Sequence, residues 1–229
     1  MTTSYIRFSL LCVFLFLGLK ALTQQSNTHF FQPQLFFTLG EASGYTANFG
    51  LSSRHEYADL DGTSFDARFL EVAHFSSLGI GNGQKIGLGL MYRFSKAFDD
   101  NKTNEFRLTQ QYHFISRLHS IRFSHRFRLE ERFFSQDTFI RLRYRFGFDF
   151  PLNGQKLNVK EIYSLVQMES QLTSHKSVSP RYDLRVSGGL GKWVHPKLKV
   201  QLTLQHRFDQ LGQQEKGKWF VLLGGYIKI

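Results

Sequence analysis

Residues 120–150 read SIRFSHRFRLEERFFSQDTFIRLRYRFGFDF, and arginines alternate there with aromatic or aliphatic residues through two consecutive segments. In the second segment the two classes fall on opposite parities: Ile140, Leu142, Tyr144, Phe146, Phe148 and Phe150 against Arg141, Arg143, Arg145, Gly147 and Asp149. A period of two is typical of β-strands, because successive side chains point to opposite faces of the pleat. The pattern therefore predicts strands that have one aromatic, apolar face and one charged face.

Two architectures could use such strands. A soluble β-sandwich would place the apolar face in its core, whereas a transmembrane β-barrel would place that face in lipid and the arginines in its lumen. A sandwich would have to bury or strand part of the arginine row, and an unpaired buried charge costs several kcal/mol. A water-filled lumen holds such a row easily, so the pattern favours the barrel.

The first 23 residues have the layout of a secretory signal peptide. Arg7 supplies a positive charge, Leu10–Leu19 is an uninterrupted apolar run, and Ala21 and Thr23 are small residues before a cut at Gln24. Lys20 ends the run well short of the roughly 20 residues that a membrane-spanning helix needs. We therefore expect residues 1–23 to be removed, together with the one cysteine of the chain, and residues 24–229 to form an exported domain without disulfides.

The rest of the chain repeats strand-like blocks separated by turn residues, which predicts a single all-β domain. The blocks are 45–57, 65–77, 84–96, 104–115, 119–133, 138–150, 157–168, 181–193, 197–209 and 217–229, with a further short strand possible at 34–41 that would need a partner near 29–33. Short joins at 116–118, 151–156 and 194–196 alternate with longer ones at 97–103, 169–180 and 210–216. That sorting is typical of outer-membrane barrels. We predict an antiparallel transmembrane β-barrel of 10 or 12 strands.

The charged parity predicts an arginine-rich lumen. The candidate lumen charge cluster is Arg122, Arg126, Arg128, Glu130, Arg132, Arg141, Arg143, Arg145, Glu105, Arg107 and Glu161. Guanidinium groups suit carboxylate and phosphate, so the lumen could be a narrow passage for small anions. Narrow barrels also fill their interiors with side chains, so the same residues could be a purely structural Arg–Glu network. The sequence leaves both interpretations open.

An enzymatic alternative rests on His74 and Ser76, which lie two residues apart on one strand face. The segment resembles the His-x-Ser segment of lipid A deacylases, which implies acyl hydrolysis of lipid A or phospholipid by a serine that a histidine activates. Ser77 stands where those enzymes have Asn, and Glu41, Glu56 and Asp66 are equal candidates for a third member. We prefer the expectation that the protein has no catalytic activity.

Other partner classes find little support. After removal of the signal peptide the chain has 27 basic and 18 acidic residues, a net charge of +9, but it has no nucleic-acid-binding pattern. Metal-ligand spacings, phosphate loops and dinucleotide fingerprints are also missing, so no cofactor is expected. The expected partners are outer-membrane lipid, the barrel-assembly machinery and small anions, and the expected state is a monomer.

The segment from His125 to Phe133 (HRFRLEERF), followed by Arg141-Leu142-Arg143-Tyr144-Arg145 and Pro151-Leu152, resembles a family of small bacterial outer-membrane proteins classed only as a domain of unknown function. Members share a signal peptide, an R-x-R-L-E-x-R strand, an R-x-R strand ending in Pro-Leu, a strand with Glu (here Glu161), and a late strand beginning near Asn-Arg (here Pro180-Arg181). The resemblance implies a β-barrel in the outer membrane of a Gram-negative bacterium and supplies no activity.

Overall fold

The computed structural model describes residues 28–40, 44–57, 65–211 and 216–229, and its regular elements are all β-strands. They are β1 (Thr28–Leu39), β2 (Tyr45–Tyr57), β3 (Phe65–Gly81), β4 (Gln84–Phe94), β5 (Glu105–Leu118), β6 (Ile121–Phe133), β7 (Thr138–Pro151), β8 (Ile162–His175), β9 (Val178–His195), β10 (Leu198–Asp209) and β11 (Lys216–Lys228). The predicted signal peptide, residues 1–23, lies outside the described residues. Within the described ranges, no helix is long and apolar enough to cross a membrane.

The strands form a closed barrel in chain order, with β1 completing the circle between β11 and β2. Consecutive strands pair antiparallel, but β1 and β11 pair in parallel, from Thr28 beside Lys218 to Thr38 beside Lys228. The predicted barrel is therefore confirmed, whereas the even count of 10 or 12 strands and the fully antiparallel sheet are wrong. The segments 29–33 and 34–41 form one strand instead of two. With an odd number of alternating strands, the first and last run in the same direction and must close in parallel.

The two faces of the sheet differ as the alternation predicted. On β7 the arginines point inward, whereas Ile140 and Leu142 on the opposite parity are half exposed outside. Large apolar side chains are exposed on the outer face of every strand, among them Leu88, Phe127, Met168, Leu190, Leu202 and Val221. The interior instead buries charged and amide side chains. This is the inverse of a soluble sandwich, whose apolar residues would meet in the core.

The connections follow the predicted sorting only in part. The Gly-rich segment at 78–83 is mostly strand and closes in a two-residue turn, Asn82-Gly83, in which both residues have the positive φ that a type I′ hairpin requires. Strands β8 and β9 also meet in a two-residue turn at 176–177, where a long loop was predicted. The predicted short join at 151–156 is instead a loop over 152–161.

The loop at 152–161 is longer than predicted because its polar groups bond to one another. The Glu161 carboxylate accepts hydrogen bonds from the Asn158 backbone N–H (2.8 Å) and from its side-chain amide (3.2 Å). Strand β8 therefore begins at Ile162 and continues to His175, so the predicted strand 157–168 is wrong at both ends. The shift has a functional consequence, because it moves Glu169 from a predicted loop into the middle of a strand.

Glycines on the inner face make room for aromatic rings from the neighbouring strand. The ring of Phe75 on β3 covers Gly89 on β4, and the ring of Tyr163 on β8 covers Gly191 on β9. A Cβ atom at either glycine would overlap the ring. These rings therefore lie against the glycines of the neighbouring strand, and both rings line the cavity of the barrel.

Candidate functional site: the barrel interior

The interior contains a cavity of about 1360 Å³. Its lining includes Arg117 and Lys197 at one end of the barrel and Lys218 and Asp209 at the other. The cavity thus contacts both ends of the barrel, and arginines from β2, β4–β7, β9 and β10 line its length.

Ion pairs connect the inner faces of β3, β4 and β5. Arg93 pairs with Glu71 on one side and with Glu105 on the other, at 3.3 Å from the latter. Glu105 also accepts from Arg107 (2.7 Å) and from Arg132 (2.6 Å). One carboxylate on β5 therefore joins three arginines from three strands, because it points into the barrel where long side chains from neighbouring strands converge.

The same ion pairs continue across β6–β9. Arg107 lies 3.8 Å from Glu130, and Arg143 connects Glu130 to Glu169, with 2.6 Å between Arg143 Nη2 and Glu169 Oε1. Glu169 also contacts Arg145 (2.8 Å), Arg126 (3.2 Å) and Arg185 (3.5 Å). We call the whole set the ion-pair network: Glu71, Arg93, Glu105, Arg107, Glu130, Arg132, Arg143, Glu169, Arg145, Arg126 and Arg185. It spans the seven strands from β3 to β9 without a break.

Three of the four carboxylates of the network are almost fully buried. The side chains of Glu105 and Glu130 are 1% exposed and that of Glu169 is 4% exposed. Buried carboxylates are tolerated only when opposite charges surround them, and each of these three contacts at least two arginines. The glutamates are therefore held in place by several ion pairs each, although the network as a whole has more arginines than glutamates.

The remaining four strands fill the interior with aromatic rings and amides. Phe220 on β11 contacts two guanidinium groups, those of Arg207 on β10 (3.5 Å from ring centroid to Cζ) and Arg54 on β2 (4.9 Å). The Arg54 guanidinium also lies 4.6 Å from the centroid of Phe69, over which Arg93 of the network lies at 4.1 Å. Cation–π contacts thus connect the network around the rest of the barrel.

Several inner arginines have neutral partners only. Arg128 donates to Gln111, Arg141 to Thr173, Arg54 to Gln32 and Arg207 to Gln205. No carboxylate of the described residues lies within 4.0 Å of these four guanidinium groups. Since all four line the cavity, the interior of the described barrel carries positive charge in excess of its own carboxylates.

The cavity is most strongly basic at the end where β5 turns into β6. We call this end the basic mouth, and its cavity-lining cations are Arg117, Arg122, Lys156, Lys197, Lys199 and Lys228. Asp149 is the carboxylate among the lining side chains there, and it pairs with Arg122 at 2.8 Å. The opposite end mixes both signs, with Lys218 paired to Asp209 and Arg181 to Asp183.

The structure brings together all of the predicted lumen residues except Glu161. Arg122, Arg128 and Arg141 lie on the inner face outside the network, and Glu161 lies in the 152–161 loop. Sequence reasoning missed Glu71, Arg93, Glu169 and Arg185. Glu169 lies on the same face of β8 as Gln167 and Gln171, and this alternation could have identified it. The alternation is visible only when β8 is extended to His175. Nothing in the sequence indicated the stack around Phe220, because its members lie on strands far apart in the chain.

His74 and Ser76 lie on the outer face of β3. His74 Nε2 is 3.0 Å from Ser76 Oγ, and the Tyr45 hydroxyl lies 2.8 Å from the same oxygen. His74 Nδ1 has no hydrogen-bond partner among the described residues. Of the candidate third members, Glu56 pairs with Arg68, and Glu41 lies outside the described residues. The dyad geometry is present, but no described acidic group orients the histidine.

The chain matches a known protein family over most of its length. Residues 24–217 match the family described as "Protein of unknown function (DUF2490)". The chain belongs to this family. No curated protein matches it. The residues that match DUF2490 cover nearly the whole closed barrel, because they include β1–β10 and the beginning of β11.

Proposed function

We propose that this DUF2490 protein is an outer-membrane β-barrel that provides a narrow passage for small anions. Support for the membrane comes from the outer face. Soluble monomers rarely expose continuous apolar patches larger than a few hundred Å², yet here large apolar side chains are exposed on each of the eleven strands. A closed sheet also leaves no unpaired edge to lipid, as a membrane span requires.

The observation that supports a passage for anions is the surplus of arginine along a cavity that contacts both ends. Arg128, Arg141, Arg54 and Arg207 face the cavity without a carboxylate partner among the described residues. The basic mouth adds a positive field that concentrates anions at one entrance. A purely structural filling would need no more arginines than carboxylates, yet the ion-pair network itself has more arginines than glutamates.

Conductance in planar lipid bilayers tests the passage. We expect small channels whose reversal potential in a KCl gradient has the sign of chloride selectivity. Arg128→Gln should lower that selectivity, because it removes a positive charge that no carboxylate balances. Arg68→Gln is the matched control, since Arg68 pairs with Glu56 and does not line the cavity. Silent membranes with protein that shows heat-modifiable migration would overturn the passage.

Fractionation of the native host tests the membrane separately. The protein should co-sediment with outer-membrane markers, lack residues 1–23 by N-terminal sequencing, and resist extraction by alkaline carbonate. Recovery in the soluble fraction would overturn the outer-membrane part of the proposal.

A second candidate function, acyl hydrolysis of lipid A or phospholipid, rests on the 3.0 Å contact between His74 Nε2 and Ser76 Oγ. On the outer face, this serine would meet lipid directly if the barrel spans a membrane. Ser76→Ala should then change the acylation of lipid A or phospholipid, measured by mass spectrometry of extracted lipids. Ser77→Ala is the control, because Ser77 faces the interior near Gln111. An unchanged lipid profile in the Ser76→Ala strain excludes the enzyme.

A further inference from the structure

The middle of the cavity has a charged wall on β6 and β7. Arg126 and Arg145 lie directly opposite each other in the sheet register, and Arg128 is the next inward residue on β6. We call these three residues the arginine wall. Arg126 and Arg145 share the one carboxylate of Glu169 with Arg143 and Arg185, while Arg128 contacts Gln111 and the face of Phe75 and has no carboxylate partner among the described residues. Like charges directly opposite each other in a sheet are unfavourable, and a further anion in the cavity would relieve this repulsion.

The wall across the cavity is uncharged and aromatic. Strand β1 lies opposite β6 and β7, since four strands separate it from that pair in either direction around the barrel. There Phe36 stacks on Tyr226 of β11, with ring centroids 5.2 Å apart and an interplanar angle of 16°. Leu222 extends the same surface toward the other end. We call Phe36, Tyr226 and Leu222 the aromatic wall.

The two walls face the same space. All six of their residues line the same cavity. Gly50 lets the Phe36 ring lie close to β2, because a Cβ atom at residue 50 would lie 3.1 Å from that ring. The ring therefore lies back against β2 and leaves an open surface toward the arginines.

We infer that the arginine wall and the aromatic wall together form a binding site for small organic anions that carry a planar or apolar group, such as aryl phosphates or aryl carboxylates. The anionic group would lie among the guanidinium nitrogens, and the apolar group would stack on Phe36 and Tyr226. Inorganic anions would use only the first of these contacts. The inference deepens the proposed passage by naming its solute class, and it rests on the passage only for the claim that the ligand crosses the barrel.

Equilibrium binding to the full-length mature protein in detergent tests the site without a membrane. Phenyl phosphate and inorganic phosphate are titrated in parallel by calorimetry, and we expect phenyl phosphate to bind at least about tenfold more tightly because ring stacking adds to the same anionic contacts. Arg128→Gln should weaken both ligands by a similar factor. Phe36→Leu should weaken phenyl phosphate alone and remove most of the difference between the ligands.

Phe37→Leu is the matched control, because Phe37 is on the outer parity of the same strand and pairs with Phe49. If Phe36→Leu fails to show heat-modifiable migration, Tyr226→Leu tests the same wall. Equal affinity for the two phosphates, or a preference that survives loss of either ring, overturns the inference. Silent bilayers with preferential phenyl phosphate binding would overturn the passage alone, and chloride conductance without that preference would overturn the site alone.

Discussion

The two sides of this barrel fill the same interior by different chemistry. Strands β3–β9 hold a continuous ion-pair network in which Glu105, Glu130 and Glu169 are buried among arginines. Strands β10, β11, β1 and β2, as far as the structure describes them, carry no comparable row of carboxylates, and Phe220 there contacts the guanidinium groups of Arg54 and Arg207. The first side surrounds buried carboxylates with arginines, whereas the second holds its arginines on aromatic faces and amides.

The two sides also differ in how they hold positive charge: Arg54 and Arg207 lie on aromatic rings, whereas Arg128 and Arg141 lie beside the network on β6 and β7 with amide or hydroxyl partners. A carboxylate within hydrogen-bonding distance neutralises a guanidinium, but an aromatic face offers only a quadrupole and leaves the net charge in place. Within the network the neutralisation is incomplete, because four arginines share the one carboxylate of Glu169. An anion in the cavity would therefore experience the charge of Arg54, Arg128, Arg141 and Arg207 together with the excess of arginine over glutamate in the network.

The largest expected effect is at the centre of the network. Glu169→Gln keeps the shape of the side chain but removes the one charge shared by Arg126, Arg143, Arg145 and Arg185. Breaking a buried ion pair typically costs about 3–5 kcal/mol, and we expect a loss of that size in the free energy of unfolding, measured by denaturant titration in detergent micelles. Glu131→Gln is the control, because Glu131 lies on the outer parity of β6 and should cost little. A loss as small as that of the control would mean that the network does not stabilise the barrel.

A smaller loss of unfolding free energy is expected for a substitution on the aromatic side. Phe220→Leu removes the ring that contacts Arg54 and Arg207, and we expect the free energy of unfolding to fall by about 2–3 kcal/mol from the loss of two cation–π contacts and the creation of a small cavity. The same denaturant titration measures it. Phe127→Leu is the comparison, since that ring is 48% exposed on the outer face. If Phe220→Leu costs as much as Glu169→Gln, the two sides contribute equally and the contrast between them fails.

The smallest of the three expected effects is for Gly89, which contacts the Phe75 ring beside the arginine wall. Gly89→Ala places a methyl group against the ring of Phe75, on which Arg128 rests at 4.8 Å. The ring can tilt into the cavity, so we expect the free energy of unfolding to fall by about 1–2 kcal/mol, toward the lower end of the range for overpacking. We also expect a lower chloride selectivity. Gly188→Ala is a close control, because a Cβ atom there has no neighbour within 4 Å. Identical stability of the two variants would show that the Phe75–Gly89 contact is unimportant.

Much of the network side could be predicted from the sequence. Strict alternation on β6 and β7 placed Arg126, Arg128, Arg143 and Arg145 on one face without reference to any partner strand. Glu169 was missed for a physical reason: Glu161 forms a local bond with Asn158 that delays the start of β8, and no periodic pattern records such a bond. The aromatic side was hidden altogether, since Phe220 meets Arg54 only after the two ends of the chain have come together.

The sequence by itself determined that the chain folds into strands with an apolar face and an arginine face, because a period of two is a local property of the backbone. The tertiary structure alone decided the number of strands, the parallel closure of β1 on β11, and which arginines have carboxylates. Each of these depends on contacts between residues that are distant in the sequence, and a local alternation does not specify which strands meet. The charge surplus in the cavity is therefore a property of the closed barrel, although every arginine that produces it can be read in the sequence.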